Sequence, residues 1–170
     1  MARQLNSLYS DNEKAELISK RPEQPNVVRT DYGKGEIYKT SLINKLLCIA
    51  SNKLASLDPF GMGIEMEANK PNWYDSLNGL PALFGSSLCE TMELKRLILF
   101  IKDALEKTKI EKVNVTEEVL EFMFGLDKII LETHNDNEGD LLYWDKSSSL
   151  KEAFRQKTRF GLSGKELELD

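Results

Sequence analysis

Residues 87–107, SLCETMELKRLILFIKDALEK, decide the fold class of this chain. Their apolar side chains recur at steps of three and four residues, which is the spacing of one face of an α-helix. Ser87 and Glu90 have the spacing of a capping box, in which each side chain bonds a free backbone amide at the beginning of a helix. The stretch therefore predicts a long helix that begins after Ser87 and ends near Lys107.

Two more helices are predicted before this one. Ser10 and Glu13 are spaced as a capping box ahead of a short helix, which Pro22 must end because proline cannot continue an α-helix. A longer helix is expected over residues 36–57, where apolar residues again recur at helical spacing. Its end is set by Pro59, since the residue before a proline disfavours helical geometry.

Two further helices are predicted after it. Thr116 is typical of an N-cap, and residues 147–156 predict a last helix that Gly161 ends. The face of the helix after Thr116 is expected to comprise Leu120, Met123, Phe124, Asp127 and Leu131, with Asp127 as its one polar break. The tail to residue 170 is expected to be polar and frayed. Strand-like alternation is confined to brief stretches such as residues 64–67, so the sequence indicates an all-α fold.

The composition fits one globular domain. The chain has 170 residues and a mass of 19.4 kDa, with 41% hydrophobic and 30% charged residues. Its formal net charge of −5 argues against nucleic acid as a partner, because nucleic-acid-binding domains carry a basic surface. The apolar runs are far shorter than the roughly 20 residues of a membrane-spanning helix, so no membrane partner is expected.

The amino-terminal residues lack the continuous apolar region of a secretory signal, so a cytoplasmic location is expected. Cys48 and Cys89 each stand among apolar residues of a predicted helix and do not form a Cys-x-x-Cys pair. Two buried free thiols are therefore expected rather than a disulfide or a metal site. His134 has no second histidine or cysteine with which to share a metal and is interpreted as a surface residue near a helix end.

A long loop over residues 58–86 carries the candidate site. Helical periodicity disappears there, and glycines and prolines become frequent. Residues 63–81 combine carboxylates, an indole, a phenol and short amides. Sugar chemistry uses such a mixture, because an aromatic ring stacks on a pyranose, polar groups bind hydroxyls and a carboxylic acid protonates the leaving oxygen. The alternative is a structural loop in which Trp73 and Tyr74 fill the core.

The sequence NWYDSLNG at residues 72–79, followed by Gly-Ser-Ser at 85–87 and Glu90, resembles the active-site segment of the cellobiose phosphorylase-like enzymes. These enzymes belong to the superfamily of six-hairpin α/α-barrel glycosidases. The resemblance implies that Asp75 is the catalytic general acid. It further implies that Trp73 contacts the sugar, that Asn78 is a supporting amide and that Glu90 organises the site.

The resemblance implies cleavage of a glycosidic bond in an oligosaccharide or disaccharide, by hydrolysis or by phosphorolysis. An inverting hydrolase needs a second carboxylate as the base that activates water, and Glu65 and Glu67 are the candidates for it. Tyr74 is expected to be a further substrate contact. At most one of the two glutamates would face the sugar if the stretch is extended. In a phosphorylase, inorganic phosphate would be the co-substrate, and no cofactor or metal is implied.

A complete barrel of this kind needs about twelve helices, whereas about five fit in 170 residues. Residues 1–170 are therefore expected to be either a single helical domain or a fragment of a larger catalytic domain, a partial α/α-barrel whose isolated activity is not expected. The alternative function is a non-catalytic helical interaction or carbohydrate-binding module. In a partial barrel, the helices at residues 36–57 and 88–107 would expose apolar faces, which favours self-association.

Overall fold

The computed structural model describes residues 10–21, 23–65, 86–134 and 138–169, and it is mostly helical, as predicted. Its α-helices within these ranges are α1 (Asn12–Ser19), α2 (Leu42–Leu54), α3 (Leu88–Thr108), α4 (Glu117–Thr133) and α5 (Gly139–Lys157), and a short 3₁₀ helix spans Asp31–Gly33. Two short antiparallel sheets pair β1 (Ile64–Glu65) with β2 (Ser86–Ser87) and β3 (Val113–Thr116) with β4 (Glu166–Leu169). Among the residues described, none of the helices has the length and hydropathy needed to span a membrane.

Helix α3 matches the prediction closely. The Ser87 hydroxyl accepts a hydrogen bond from the backbone amide of Glu90 at 3.3 Å, which is the predicted N-cap. The helix ends at Thr108, where Lys109 adopts a left-handed conformation with φ 52° and its amide bonds back to the last turn. Leu94 and Ile101 are the buried residues of this helix.

Three predicted helix beginnings are wrong, and in α1 and α2 the side chain that caps the first turn sets the first helical residue. The cap of α1 is Asp11, which accepts from the Lys14 amide at 2.9 Å, and not Ser10. Helix α2 does not begin at residue 36: residues 36–40 precede the cap Ser41. Helix α5 begins at Gly139, well before the predicted residue 147, and ends at Lys157.

Gly161 does not end α5 but permits a close approach of chain segments. A Cβ atom added at Gly161 would lie 2.4 Å from the Arg29 carbonyl oxygen and 2.6 Å from the Gly33 nitrogen. The segment after α5 thus packs directly on the residues before α2. The Leu162 amide donates to the Arg29 carbonyl at 3.1 Å, which fixes this approach.

The buried face of α4 differs from the predicted one. Its buried residues are Glu118, Val119, Leu120, Phe122, Leu126, Ile129 and Thr133. Of the predicted face, Leu120 is buried, whereas Asp127 is exposed and Phe124 and Leu131 are 58% and 71% exposed. Because α4 carries apolar residues on more than one side, spacing alone allows two faces, and packing against α5 and α2 selects one of them.

Helices α4 and α5 make the most extensive contact of any two helices among the described residues. The rings of Phe122 and Phe154 stack with centroids 4.6 Å apart and planes 9° apart. A Cβ atom at Gly125 would lie 2.7 Å from a methyl carbon of Leu150, so the glycine allows the two helices to approach at this point. Ala55, just beyond α2, is fully buried against this cluster.

The carboxyl-terminal tail is a strand rather than the frayed segment that was predicted. β4 pairs with β3 in a register that places Leu167 opposite Val115 and Glu166 opposite Thr116. Val115 is fully buried in an apolar cluster that includes Leu167 and Leu169. The alternation of glutamate and leucine in β4 therefore places leucines inward and glutamates outward, as in a half-buried strand.

The two cysteines are free thiols, but they differ in exposure. Cys48 is partly buried, and its burial raises the pKa of its thiol despite a contact from the Asn52 amide. Cys89 is exposed at the beginning of α3. The predicted burial is therefore wrong for Cys89, which stands among apolar neighbours in sequence but on the outer side of its helix.

A polar network connects α2 to both strands of the second sheet. The Asn44 side chain is 3% exposed; its amide nitrogen donates to Thr116 Oγ1 at 2.6 Å, and its oxygen accepts from the Thr116 backbone amide at 3.1 Å. The Tyr38 hydroxyl lies 2.7 Å from Thr116 Oγ1 and donates to Glu166 at 2.6 Å. The Thr116 hydroxyl is thus used in this network, and it makes no capping bond to α4.

Asn44→Ala is expected to lower the free energy of unfolding by about 2–3 kcal/mol, because the buried Thr116 amide loses its acceptor. Urea denaturation monitored by circular dichroism measures this loss. Asn114→Ala is the matched control: Asn114 is exposed on β3, and its replacement should change stability by no more than about 0.5 kcal/mol. Equal effects of the two substitutions would contradict a structural role for the network.

Candidate functional site

Two of the predicted site residues, Glu65 and Glu90, lie in the described part of the chain. The other predicted site residues lie outside it, namely Glu67, Trp73, Tyr74, Asp75 and Asn78. The structure describes the elements on either side of residues 66–85. We call these flanking elements the base of the candidate site.

In the base, the residues on either side of that segment lie side by side. Ile64 pairs with Ser87, and Glu65 pairs with Ser86, in the antiparallel β1–β2 sheet. Since paired strands lie about 5 Å apart, Glu65 and Ser86, the described residues on either side of residues 66–85, are neighbours. The Thr91 hydroxyl on α3 donates to the Met62 carbonyl at 2.9 Å and holds β1 against the first turn of the helix.

Asp58 is the central acceptor of the base. One of its carboxylate oxygens accepts from the amides of Phe60 and Met62, both at 3.0 Å, and the other accepts from Gly63 at 2.9 Å. The Ser86 hydroxyl donates to that second oxygen, so Asp58 connects the chain on either side of residues 66–85. Burial raises the pKa of Asp58, but the hydrogen bonds from Ser86 and the three amides outweigh it and hold the pKa below its ordinary value.

Glu65 is oriented by α5. The indole nitrogen of Trp144 donates to its Oε1 at 2.8 Å, and the Glu65 amide donates to the Ser56 carbonyl at 2.7 Å. The carboxylate is partly exposed and keeps further acceptor capacity, since an ionised carboxylate offers about four lone-pair sites. Glu65 can therefore accept a hydrogen bond from a hydroxyl or water at the surface.

Glu90 connects α3 to α2. Its carboxylate forms an ion pair with Lys53, in which the two side chains are 39% and 45% exposed. An ion pair this open to solvent contributes little to stability, with measured values of about 0–1 kcal/mol. Glu65 on β1 and Glu90 in the first turn of α3 thus each have a partner of their own, Trp144 and Lys53.

A cleft of about 610 Å³ adjoins the base. It lies between the end of α2, the turn after it, the end of α4 and the beginning of α5. Its polar side chains include His134, Glu138 and Asp140, and its apolar lining includes Leu57 and Ile130. His134 is exposed at the C-terminal end of α4, as predicted. The described residues hold no cluster of three or more potential metal ligands.

Tyr143 forms the inner wall of this cleft. Its hydroxyl donates to the Leu54 carbonyl at 2.9 Å, and burial raises its pKa to about 12. It is therefore a neutral phenol at physiological pH that ties α5 to the end of α2. The cleft can accept an uncharged or cationic group, because the charged side chains at its rim are carboxylates.

Four residues of the base were not identified from the sequence: Lys53, Asp58, Ser86 and Trp144. A signal existed for Asp58, because an aspartate followed by proline and glycines is typical of a turn in which the side chain accepts backbone amides. Trp144 carried no local signal, since its partner Glu65 is 79 residues away in the sequence.

Comparisons with known proteins give no relative: no family model matches the chain, and no curated protein or solved structure matches it.

Asp58→Asn is expected to destabilise the protein by about 2 kcal/mol at pH 7, because an amide cannot accept at both of its heavy atoms. The pKa of the Asp58 carboxylate is lowered in the folded state. Its contribution to the free energy of unfolding is therefore complete above the ordinary pKa of 3.8 and is lost as the pH falls below that value. The stability difference between the two proteins should therefore be constant down to about pH 4 and shrink below.

Urea denaturation of both proteins across this pH range measures the difference. Asp103→Asn is the matched control, because Asp103 is exposed and makes only a surface ion pair with Lys107. Its replacement should change stability by about 0.5 kcal/mol or less at any pH. If the stability difference between the wild-type and Asp58→Asn proteins is the same at pH 3 as at pH 7, the charge of Asp58 does not contribute to stability.

Proposed function

We propose that this chain is a segment of a carbohydrate-active enzyme, a glycoside hydrolase or phosphorylase, with Asp75 as general acid. The observation that carries the proposal is the base of the candidate site. The described residues that flank the segment with the motif of residues 72–79 form a base fixed by Asp58, and Glu65 presents a partly exposed carboxylate there. Such an arrangement supports sugar hydroxyls binding beside the motif.

The mostly helical architecture is compatible with a partial α/α-barrel, which is the finer form of this proposal. In this arrangement, the long helices α2 and α3 would be neighbouring barrel helices, since they pack against each other and are joined through the candidate loop. Further hairpins would supply the other walls of a sugar pocket, because a pocket needs walls on several sides. Activity is accordingly to be sought in the full-length protein.

Asp75→Asn in the full-length protein is expected to reduce turnover of a disaccharide by about 10²–10⁴-fold while preserving its binding, because general acid catalysis contributes that much. An aryl glycoside with a nitrophenol leaving group should lose much less, since this leaving group departs without protonation. Product release from both substrates, with and without inorganic phosphate, measures the two rates and separates phosphorolysis from hydrolysis.

Asp103→Asn serves as the control and should retain the wild-type rates, because Asp103 is an exposed residue of α3 far along the helix from the base. Two results would overturn the proposal. One is a wild-type protein that cleaves none of a panel of disaccharides under either condition. The other is an equal loss on both classes of substrate in the Asp75→Asn protein, which excludes a proton-donating role.

A second candidate function, a helical interaction module, is favoured by the outer surface of α3. Leu88, Met92 and Leu99 are 52%, 54% and 55% exposed, and their spacing places them on one side of the helix. Phe100 adds a further exposed ring at 61%. Exposed apolar stripes of this kind are typical of surfaces that bind another protein surface, including a second copy.

Leu99→Glu is expected to weaken self-association without loss of folding, because a charge would enter the apolar stripe of α3. Sedimentation velocity over a range of concentrations measures the association. Leu131→Glu is the matched control, since Leu131 is 71% exposed on α4 and should leave association unchanged. A wild-type chain that stays monomeric at all concentrations would exclude the second copy as the partner of this face.

A further inference from the structure

A cationic cleft of about 400 Å³ lies on the segment between α1 and α2. Four basic side chains line it, Lys20, Arg21, Arg29 and Lys34, together with the acidic residue Glu23. This concentration of positive charge contrasts with the net charge of −5 of the whole chain. None of these residues belongs to the base of the candidate site, so the cleft needs an explanation of its own.

Among the described residues, the Arg21 guanidinium is held only by main-chain carbonyl groups. It donates to the carbonyls of Pro25 at 2.9 Å, Val27 at 3.4 Å and Gly33 at 3.0 Å. A guanidinium carries five N–H groups, so two of them remain without an acceptor, and its Nε is buried. These hydrogen bonds fix the side chain in place. Among the described residues, only the dipoles of carbonyl groups face its positive charge.

Arg29 repeats this pattern from the other side of the cleft. It donates to the carbonyls of Gly35 at 3.4 Å and Glu23 at 3.2 Å, and its buried Nε has no acceptor. Three of its N–H groups are therefore unused. Half of the N–H groups of the two arginines donate to carbonyls of the surrounding loop. The other half have no acceptor among the described residues.

The carboxylates in the lining of the cleft do not balance these cations. Of all the ion pairs among the described residues, none includes either arginine, and Lys34 is exposed without a carboxylate partner. Lys20 is paired with Glu16, so Glu23 is the one remaining carboxylate in the lining. The C-terminal end of α1 adds about half a negative charge. Arg21, Arg29 and Lys34 together exceed these contributions.

Gly33 makes the wall of the cleft rigid. It has a left-handed conformation with φ 96°, and an added Cβ atom would lie 2.5 Å from the Phe160 carbonyl oxygen and 3.2 Å from Arg21 Nη2. The backbone of this turn is therefore packed between Arg21 and the segment after α5. Fixed donors bind an anion with a small ordering cost, because they are already in position.

We propose that this cleft binds the oxyanion group of a small ligand, a phosphate or a carboxylate, through Arg21, Arg29 and Lys34. The planar guanidinium donors suit either oxyanion, since both accept paired N–H groups. The volume leaves room for a ligand larger than the oxyanion itself. This proposal is independent of the glycosidase proposal, because it uses neither Asp75 nor the base of the candidate site.

Nuclear magnetic resonance titration of the ¹⁵N-labelled chain tests it, with inorganic phosphate, succinate and chloride as probes at constant ionic strength. Phosphate or succinate is expected to shift the amides near Gly33 and Gly35 in a saturable manner, and the tighter of the two identifies the oxyanion class. Chloride should give no saturable shift. Lys34→Gln should weaken binding about tenfold, since a charge-assisted contact is lost.

Arg29→Lys keeps the charge but removes the planar fork, and it should also weaken binding at least several-fold. Lys45→Gln is the matched control: Lys45 is exposed on α2 outside the cleft, and its loss should leave the affinity unchanged. Lys34 is exposed, so its replacement leaves folding intact. The absence of saturable shifts in the wild-type protein, or equal weakening by Lys34→Gln and Lys45→Gln, would overturn the proposal.

Discussion

The buried amide of Asn44 is the constraint on which the rest of the structure depends. A buried polar side chain is stable only when its donors and acceptors are paired, and Asn44 finds its partners on Thr116, at the junction of β3 and α4. This requirement fixes the rotation of α2 relative to the second sheet. Through Tyr38 and Glu166 it also fixes where β4 must lie. One hydrogen-bonded side chain thereby sets the positions of four elements.

The candidate site inherits its geometry from this arrangement. Once α2 is fixed, its end determines the position of the Asp58 turn, and Tyr143 secures the same end against α5. Trp144 follows Tyr143 on α5 and reaches Glu65. The base of the loop is therefore connected to the core by two successive aromatic residues of one helix, and its carboxylate is positioned by packing far from the motif itself.

Local signals predicted the helical class and the position of α3, because capping and apolar spacing act within a few residues. They did not predict the features that depend on residues far away in the sequence. The strand β4 could not be predicted, since its alternating leucines gain burial only opposite Val115. The buried face of α4 was chosen by α5, and the orientation of Glu65 by Trp144. Glu65 and Glu90 were predicted from the sequence as site residues, but their partners Trp144 and Lys53 carried no signal in the sequence.

The hydrogen bond between Tyr38 and Glu166 joins residues 128 positions apart, so one partner is synthesised long before the other. During synthesis on a ribosome, α2 and α3 emerge long before β4, so Asn44 and Thr116 can meet while the site of Glu166 is still empty. The second sheet can pair only after β4 has been made, and β4 follows every other described helix and strand in the sequence. Until then, β3 presents an unpaired edge, on which chaperones or neighbouring nascent chains can act.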